Sequence, residues 1–166
     1  NYNKTIEYYL HVQEIDFDYE HIFKLAYSYF ILDFLDEASY HFARLLNKDS
    51  KYTAVAQYYY AHIAYQQGFY KRALAGFNKL KFDEKFSEII PYYITQIYFF
   101  QQSYKQLIAF ASPLIESVIP SRRAEVNRLL AEAYYRTEDY KNAIVYFNAY
   151  IDQEQDFNPI VYFLLG

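Results

Sequence analysis

The chain has 166 residues, of which 54% are hydrophobic and 23% aromatic, and its formal net charge is −4 at pH 7. This composition excludes a disordered polypeptide, because enough apolar side chains are present to build a core. The negative charge argues against a general nucleic-acid-binding protein, which would be basic. Cysteine is absent, so disulfides and cysteine-ligated zinc are excluded.

Few residues interrupt helices, since the chain contains only 3 glycines and 4 prolines. This scarcity favours helices over an all-β protein with many tight turns. The longest strongly apolar stretch, residues 89–100, is too short to cross a bilayer, so no integral membrane span is expected. The chain begins at Asn1 within an amphipathic pattern and contains no methionine, and we expect it to be a segment of a longer protein.

In chain order, the predicted elements form a half-repeat, four full repeats and the start of another repeat. The first element is a single amphipathic helix. Each of the four repeats is predicted to contain two amphipathic helices joined by a short turn. The predicted boundaries are 1–18 for the half-repeat, 19–53, 54–87, 88–123 and 124–158 for the four repeats, and 159–166 for the start of the next one.

Small residues recur at fixed places in these repeats. In three of them an alanine is followed four residues later by phenylalanine and preceded twelve residues earlier by another alanine. The sets are Ala26, Ala38 and Phe42, then Ala61, Ala73 and Phe77, and finally Ala131, Ala143 and Phe147; the third repeat keeps the spacing with Thr95, Leu107 and Ala111. Because small side chains let two helices approach closely, we expect these positions in the core.

Helix-start and helix-break signals add detail to this scheme. We predict helix N-caps at Asp18, Ser87, Ser121 and Asn158, since their side chains can accept a hydrogen bond from a free backbone N–H. Pro113 falls inside the second predicted helix of the third repeat, where we expect a bend.

The order of these residues, at a period of about 35, resembles the tetratricopeptide repeat. The resemblance is clearest in the fourth repeat, is weakest in the third, and extends over essentially the whole chain. In the second repeat the tyrosine of the pattern, Tyr65, falls one place late. The residues of the fourth repeat that carry it are Leu130, Ala131, Tyr134, Tyr140, Ala143 and Phe147. The resemblance implies an all-α, right-handed α-solenoid of antiparallel helix pairs, forming part of a longer array.

In tetratricopeptide proteins the first helix of each repeat lines a concave groove that binds a protein or peptide partner. Carried over to this chain, the groove positions are Phe23, Tyr27, Phe30, Tyr58, His62, Tyr65, Tyr92, Gln96, Phe99, Arg128, Glu132 and Tyr135. The fourth groove position of each repeat holds Ile31, Gln66, Phe100 or Arg136. Such an aromatic lining suits a peptide with apolar anchors, and Arg128 and Arg136 are expected to pair with an acidic group.

Two interpretations of these aromatic side chains fit the sequence equally. They form a recognition surface, or they pack against the following repeat and bury part of the inner wall.

Motifs for chemistry are absent. The four histidines, His11, His21, His41 and His62, have no metal-ligand spacing, and neither a nucleophile motif nor a phosphate-binding loop occurs. We therefore expect no enzymatic activity, no cofactor and no metal site.

The predicted function is a protein–protein interaction scaffold, and the alternative is a structural spacer or self-association module. Analogy with long bacterial tetratricopeptide proteins suggests a periplasmic or cell-envelope location, with the cytoplasm as the alternative.

Overall fold

The computed structural model describes residues 2–11 and 18–155, and within these ranges the regular structure is entirely helical. The all-α prediction is therefore confirmed for the described residues. They form one 3₁₀ helix, Ser112–Ser117, and nine α-helices. The α-helices are α1 (Tyr2–His11), α2 (Tyr19–Ile31), α3 (Leu35–Ala43), α4 (Thr53–Gln66), α5 (Tyr70–Asn78), α6 (Ile90–Phe100), α7 (Tyr104–Ala111), α8 (Pro120–Arg136) and α9 (Tyr140–Gln155).

The helices pack mainly against their neighbours in the sequence. Contact is most extensive within the pairs α2 with α3, α4 with α5, and α8 with α9, while α6 lies against both α7 and α8. The chain divides into two compact units, the first ending at Asp83 and the second beginning at Glu84. The first unit contains α1 to α5, and the second contains α6 to α9.

The recurring small residues lie inside the helix pairs, as predicted. All six alanines of the pattern are buried: Ala26, Ala38, Ala61, Ala73, Ala131 and Ala143. Phe42 and Phe77 are also fully buried, which stabilises each pair by roughly 1.5–3 kcal/mol per side chain. Phe147 was expected in the core but is 51% exposed, because no helix among the described residues covers its side of α9.

The degenerate repeat keeps the same core with different side chains. Thr95 takes the place of the first alanine and is fully buried in α6. Its hydroxyl donates a hydrogen bond of 2.7 Å to the Pro91 carbonyl, so the polar atom is satisfied within its own helix. Leu107 and Ala111 of α7 are buried as well, which explains why the spacing of this repeat is retained although its residues differ.

In three of the four two-helix repeats, one matching pair of positions holds an aromatic ring on each helix. The stacked pairs are Tyr29 with His41 (centroids 5.6 Å apart) and Tyr134 with Tyr146 (5.3 Å), and the edge-to-face pair is Tyr98 with Phe110 (6.0 Å). Both geometries are favourable arrangements for aromatic quadrupoles.

The pair α4–α5 replaces these rings with two small residues, Ala64 and Gly76, which are both buried. A Cβ atom added to Gly76 would lie 2.6 Å from the Cβ atom of Ala61, so α5 approaches α4 too closely for any side chain here. The late position of Tyr65 in this repeat therefore has a structural reason, since the ring position itself holds Ala64.

The turn inside each helix pair contains one residue in the left-handed conformation. These residues are Asp33, Gly68, Gln102 and Glu138, with φ between 54° and 76°. After α2, the N–H of Phe34 donates to the Tyr29 carbonyl (3.0 Å) and that of Asp33 to the Phe30 carbonyl (3.1 Å), which is a Schellman C-cap. Only one of the four turns uses glycine, so the sequence showed this turn clearly only at Gly68.

The predicted cap at Asp18 is confirmed, and two others are wrong. The carboxylate of Asp18 accepts a 2.9 Å hydrogen bond from the backbone N–H of His21 at the start of α2. Ser87 lies three residues before α6, and Ser121 lies inside α8, which begins at Pro120. Asn158 lies outside the described residues.

A cap that the sequence analysis missed begins α9. One oxygen of the Asp139 carboxylate accepts from the backbone N–H of Asn142 at 3.2 Å, and the other accepts from its side-chain amide at 2.7 Å. An aspartate directly before a helical pattern was the available signal.

Pro113 does not bend a continuing α-helix, contrary to expectation. Helix α7 ends at Ala111, and Pro113 lies in the first turn of the 3₁₀ helix, where its missing N–H leaves no intrahelical bond unmade. After this helix, the N–H of Ile119 donates to the Glu88 carbonyl at 2.9 Å, which ties the exit of the third repeat to its beginning.

Candidate functional site

The twelve predicted groove residues lie on α2, α4, α6 and α8, the first helix of each pair. Six belong to the first unit and six to the second. All are partly buried except Tyr135, which is 61% exposed. The two units are described in turn.

In the first unit, the groove residues of α2 pack around one tyrosine of α4, Tyr59. The Tyr59 ring centroid lies 4.9 Å from that of Phe30, 5.5 Å from that of Tyr27 and 6.5 Å from that of Phe23. Its fourth aromatic contact in α2–α3 is with Phe42, stacked at 5.2 Å. These side chains therefore serve, at least on one side, to join successive helix pairs.

Tyr59 was not singled out from the sequence, although a comparison of equivalent positions points to it. The corresponding residues in the third and fourth repeats, Tyr93 and Leu129, are also apolar, and only Lys24 of the first repeat differs. Burial raises the pKa of the Tyr59 phenol, with a smaller contribution from the neighbouring Tyr27.

The groove residues of α4 continue this aromatic surface. The His62 ring stacks on Tyr58 (5.8 Å) and Tyr65 (6.2 Å), and Phe30 meets it edge to face at 6.0 Å. We name Phe30, Tyr58, His62 and Tyr65 the aromatic strip. Burial lowers the pKa of His62, so its neutral form is favoured.

In the second unit, the groove residues of α6 contact polar and aromatic neighbours. The Gln96 side-chain amide donates to the Tyr92 hydroxyl at 2.9 Å, and the Arg122 guanidinium lies 5.0 Å from the Tyr92 ring centroid. Phe99 packs edge to face on Tyr104 at 6.1 Å. Arg122 was not predicted, because it enters this arrangement from α8.

The charged residues of α8 pair with one another. The Arg128 guanidinium donates two hydrogen bonds to Glu125, at 3.0 and 2.8 Å, and lies 3.9 Å from Glu132. These contacts raise the pKa of Arg128, chiefly through the Glu125 hydrogen bonds. Arg136 in turn donates to Glu132 at 3.2 Å. The expectation that Arg128 and Arg136 await an acidic partner is weakened, because carboxylates of their own helix already neutralise them.

An open groove of about 390 Å³ lies between α8 and α9. Its floor is apolar, and Arg128 and Glu132 form its polar edge. Three predicted residues therefore meet here, joined by α9 residues that the sequence analysis did not assign to a site. The lining residues are Arg128, Ala131, Glu132, Tyr135, Ala143, Ile144 and Phe147. We name this the α8–α9 groove.

Neither a metal-binding cluster nor a membrane-spanning helix occurs among the described residues. Within residues 2–11 and 18–155, no group of three or more histidine, aspartate or glutamate side chains is placed to hold a metal ion. No helix in that part of the chain combines the length and apolar character needed to cross a membrane.

A scan against models of known families and a search of curated proteins found no match to the chain.

Proposed function

We propose that the chain is a tetratricopeptide-type protein, a right-handed α-solenoid of helix pairs, that acts as a non-enzymatic scaffold for a protein or peptide partner. Three recurring features support this class. In three of the four pairs buried alanines lie at the helix contact, and in three of the four one matching pair of positions holds an aromatic ring on each helix. A left-handed residue lies in every intra-pair turn. Repetition of one supersecondary unit at constant spacing is the property that defines such arrays.

The aromatic strip of the first unit is the observation that supports partner binding best. Its four rings are half-buried, so each is held by neighbours while part of it contacts solvent. Rigid rings with exposed edges offer a large apolar area at low entropic cost, and tyrosine adds a hydroxyl for hydrogen bonds. Because Arg128 and Arg136 already pair with glutamates of their own helix, the partner we propose is an extended or helical peptide with apolar or aromatic anchors, not an acidic one.

Selection from a displayed peptide library, with the whole chain as bait, tests this proposal. For the best peptide, Tyr58→Ala and Tyr65→Ala should each weaken binding at least about tenfold, the usual loss at an interface hot spot. Tyr40→Ala is the matched control, because Tyr40 is an equally large ring, 59% exposed, on the neighbouring helix α3.

The melting temperature of each variant separates recognition from packing. Weakened binding at an unchanged melting temperature supports the recognition surface. A lower melting temperature with unchanged peptide affinity would show instead that the strip serves only to hold the helix pairs together. Selection of peptides rich in aspartate and glutamate would contradict the proposed partner chemistry.

Self-association is a second candidate function, and the exposed apolar side chains on α9 favour it. Ile144 and Phe147 are 61% and 51% exposed, and Val145 beside them is 56% exposed. Sedimentation velocity over a wide concentration range tests this candidate. A monomer at every concentration would exclude it.

A further inference from the structure

The α8–α9 groove corresponds, residue by residue, to a place in the first unit that is occupied. The residue numbers of Ala26, Ala38 and Phe42 each rise by 105 to those of Ala131, Ala143 and Phe147, so α2–α3 and α8–α9 are equivalent pairs. The same shift relates the four rings of α2–α3 that surround Tyr59 to four residues of the groove. These pairs are Phe23 with Arg128, Tyr27 with Glu132, Phe30 with Tyr135, and Phe42 with Phe147.

The position of Tyr59 therefore shows which part of the chain fills such a groove. In the first unit it enters from the helix that follows the pair, and Phe42 beneath it is fully buried. The same shift of 105 takes Tyr59 to Leu164 and the buried Ala61 to Gly166. An apolar residue and a small residue thus recur at the matching positions of the chain that follows α9.

We propose that the α8–α9 groove is the docking site of the chain's own residues 158–166, with Leu164 seated against Tyr135 and Phe147. These residues lie outside the described part of the structure. Their sequence, Asn-Pro-Ile-Val-Tyr-Phe-Leu-Leu-Gly, contains no charged side chain and fits the apolar floor of the groove.

The connection is long enough for this placement. Helix α9 runs eight residues beyond Phe147, a rise of about 12 Å. The nine residues from Gln155 to Leu164 span up to about 30 Å when extended, so Leu164 can return to the groove even if part of the segment is helical.

Cysteine pairing in the full chain tests the placement, because the natural sequence supplies no competing thiol. The double variant Phe147→Cys with Leu164→Cys should form a disulfide within one molecule under mild oxidation. The matched control is Val145→Cys with Leu164→Cys. Val145 is equally exposed on α9, but its equivalent, Tyr40, remains 59% exposed in the first unit and so faces away from the following helix.

Non-reducing electrophoresis and mass spectrometry distinguish the outcomes. A monomeric disulfide that forms much faster in the first variant than in the control supports docking of the chain's own segment. Disulfide-linked dimers would overturn the proposal and show that a second copy fills the groove. Equal rates in both variants, or no disulfide in either, would also overturn it.

A tryptophan reporter tests the same placement without altering Phe147. The chain contains no tryptophan, so Leu164→Trp provides a single tryptophan, which long-wavelength excitation selects over the 23 tyrosines. Its emission maximum should lie at shorter wavelength than in urea, and adding Phe147→Asp should shift it towards the urea value, whereas adding Val145→Asp should not. Emission at the urea value in the folded chain would refute docking. This result is independent of peptide binding to the aromatic strip, so the two proposals can fail separately.

Discussion

The helix pairs α2–α3 and α4–α5 belong to one compact unit and share the same pattern of buried alanine and phenylalanine. They differ in the side chains that lie between the two helices beside the alanines. In α2–α3 the contact beside the alanines contains the stacked rings of Tyr29 and His41. In α4–α5 the matching positions hold Ala64 and Gly76, and the helices meet almost backbone to backbone. One repeat pattern therefore permits two solutions to helix packing, one with large rings and one with almost no side chain.

The largest expected loss of stability comes from removing the His41 ring of α3. His41 is 7% exposed and stacked on Tyr29, so His41→Ala should leave a cavity and lower the free energy of unfolding by about 2–4 kcal/mol. His41→Phe is the matched control, because phenylalanine stands at the equivalent position in α7 and forms the ring pair there. Urea unfolding of both variants checks the prediction. Equal losses would mean that the imidazole nitrogens matter and the ring stacking does not.

Gly76→Ala tests the close approach of the two helices in α4–α5. Alanine in a helix normally stabilises by about 1 kcal/mol relative to glycine. Here its Cβ would lie 2.6 Å from that of Ala61. Overpacking of about 1–3 kcal/mol should offset this gain and leave a net loss of up to about 2 kcal/mol.

The second variant for this contact is Ala61→Gly, which removes the opposing Cβ. A double-mutant cycle should show that Gly76→Ala costs less when Ala61→Gly is present. Additive losses in the cycle would mean that the two helices can separate without strain, and the contrast with α2–α3 would then disappear.

Substitutions in the turns within the helix pairs should change the free energy of unfolding by a smaller amount, and the change can have either sign. Glu138 adopts φ of 66° although it carries a side chain, so Glu138→Gly should raise the free energy of unfolding by about 1 kcal/mol. Gly68→Ala should lower it by a similar amount, because nothing lies near the added Cβ and only the backbone conformation is strained. Thermal unfolding measures both changes. A loss on Glu138→Gly would show that its side chain makes a stabilising contact that outweighs the turn.

These variants also show how far the sequence determines the fold. Alanine and phenylalanine spacing was sufficient to predict the buried alanines and the all-α fold, because helical periodicity and side-chain volume are local properties. Local pattern could not distinguish Phe42 from Phe147, since burial of that ring depends on whether another helix follows and covers it. Likewise, the importance of Tyr59 comes from four rings on two other helices, and Arg128 is neutralised by glutamates that the pattern treats as surface residues.

His62 provides the smallest and most specific test, because it lies where the two compared pairs meet. Phe30 of α2 touches it from one side and Tyr58 of α4 stacks on the other, and burial lowers its pKa below the ordinary value of 6.5. The unfolded chain therefore binds a proton at this residue more readily than the folded chain. Stability should fall as the pH drops from about 6.5 towards the lowered pKa and level off below it.

The difference between the natural chain and His62→Phe isolates this effect from the carboxylates that titrate at lower pH. Phenylalanine keeps the ring contacts but cannot take up a proton, so the free energy of unfolding of the variant should be less dependent on pH between about 5 and 7. Urea unfolding at several pH values measures both slopes. Parallel curves would mean that water reaches His62 freely, and that the aromatic strip joins α2 and α4 less tightly than its ring distances indicate.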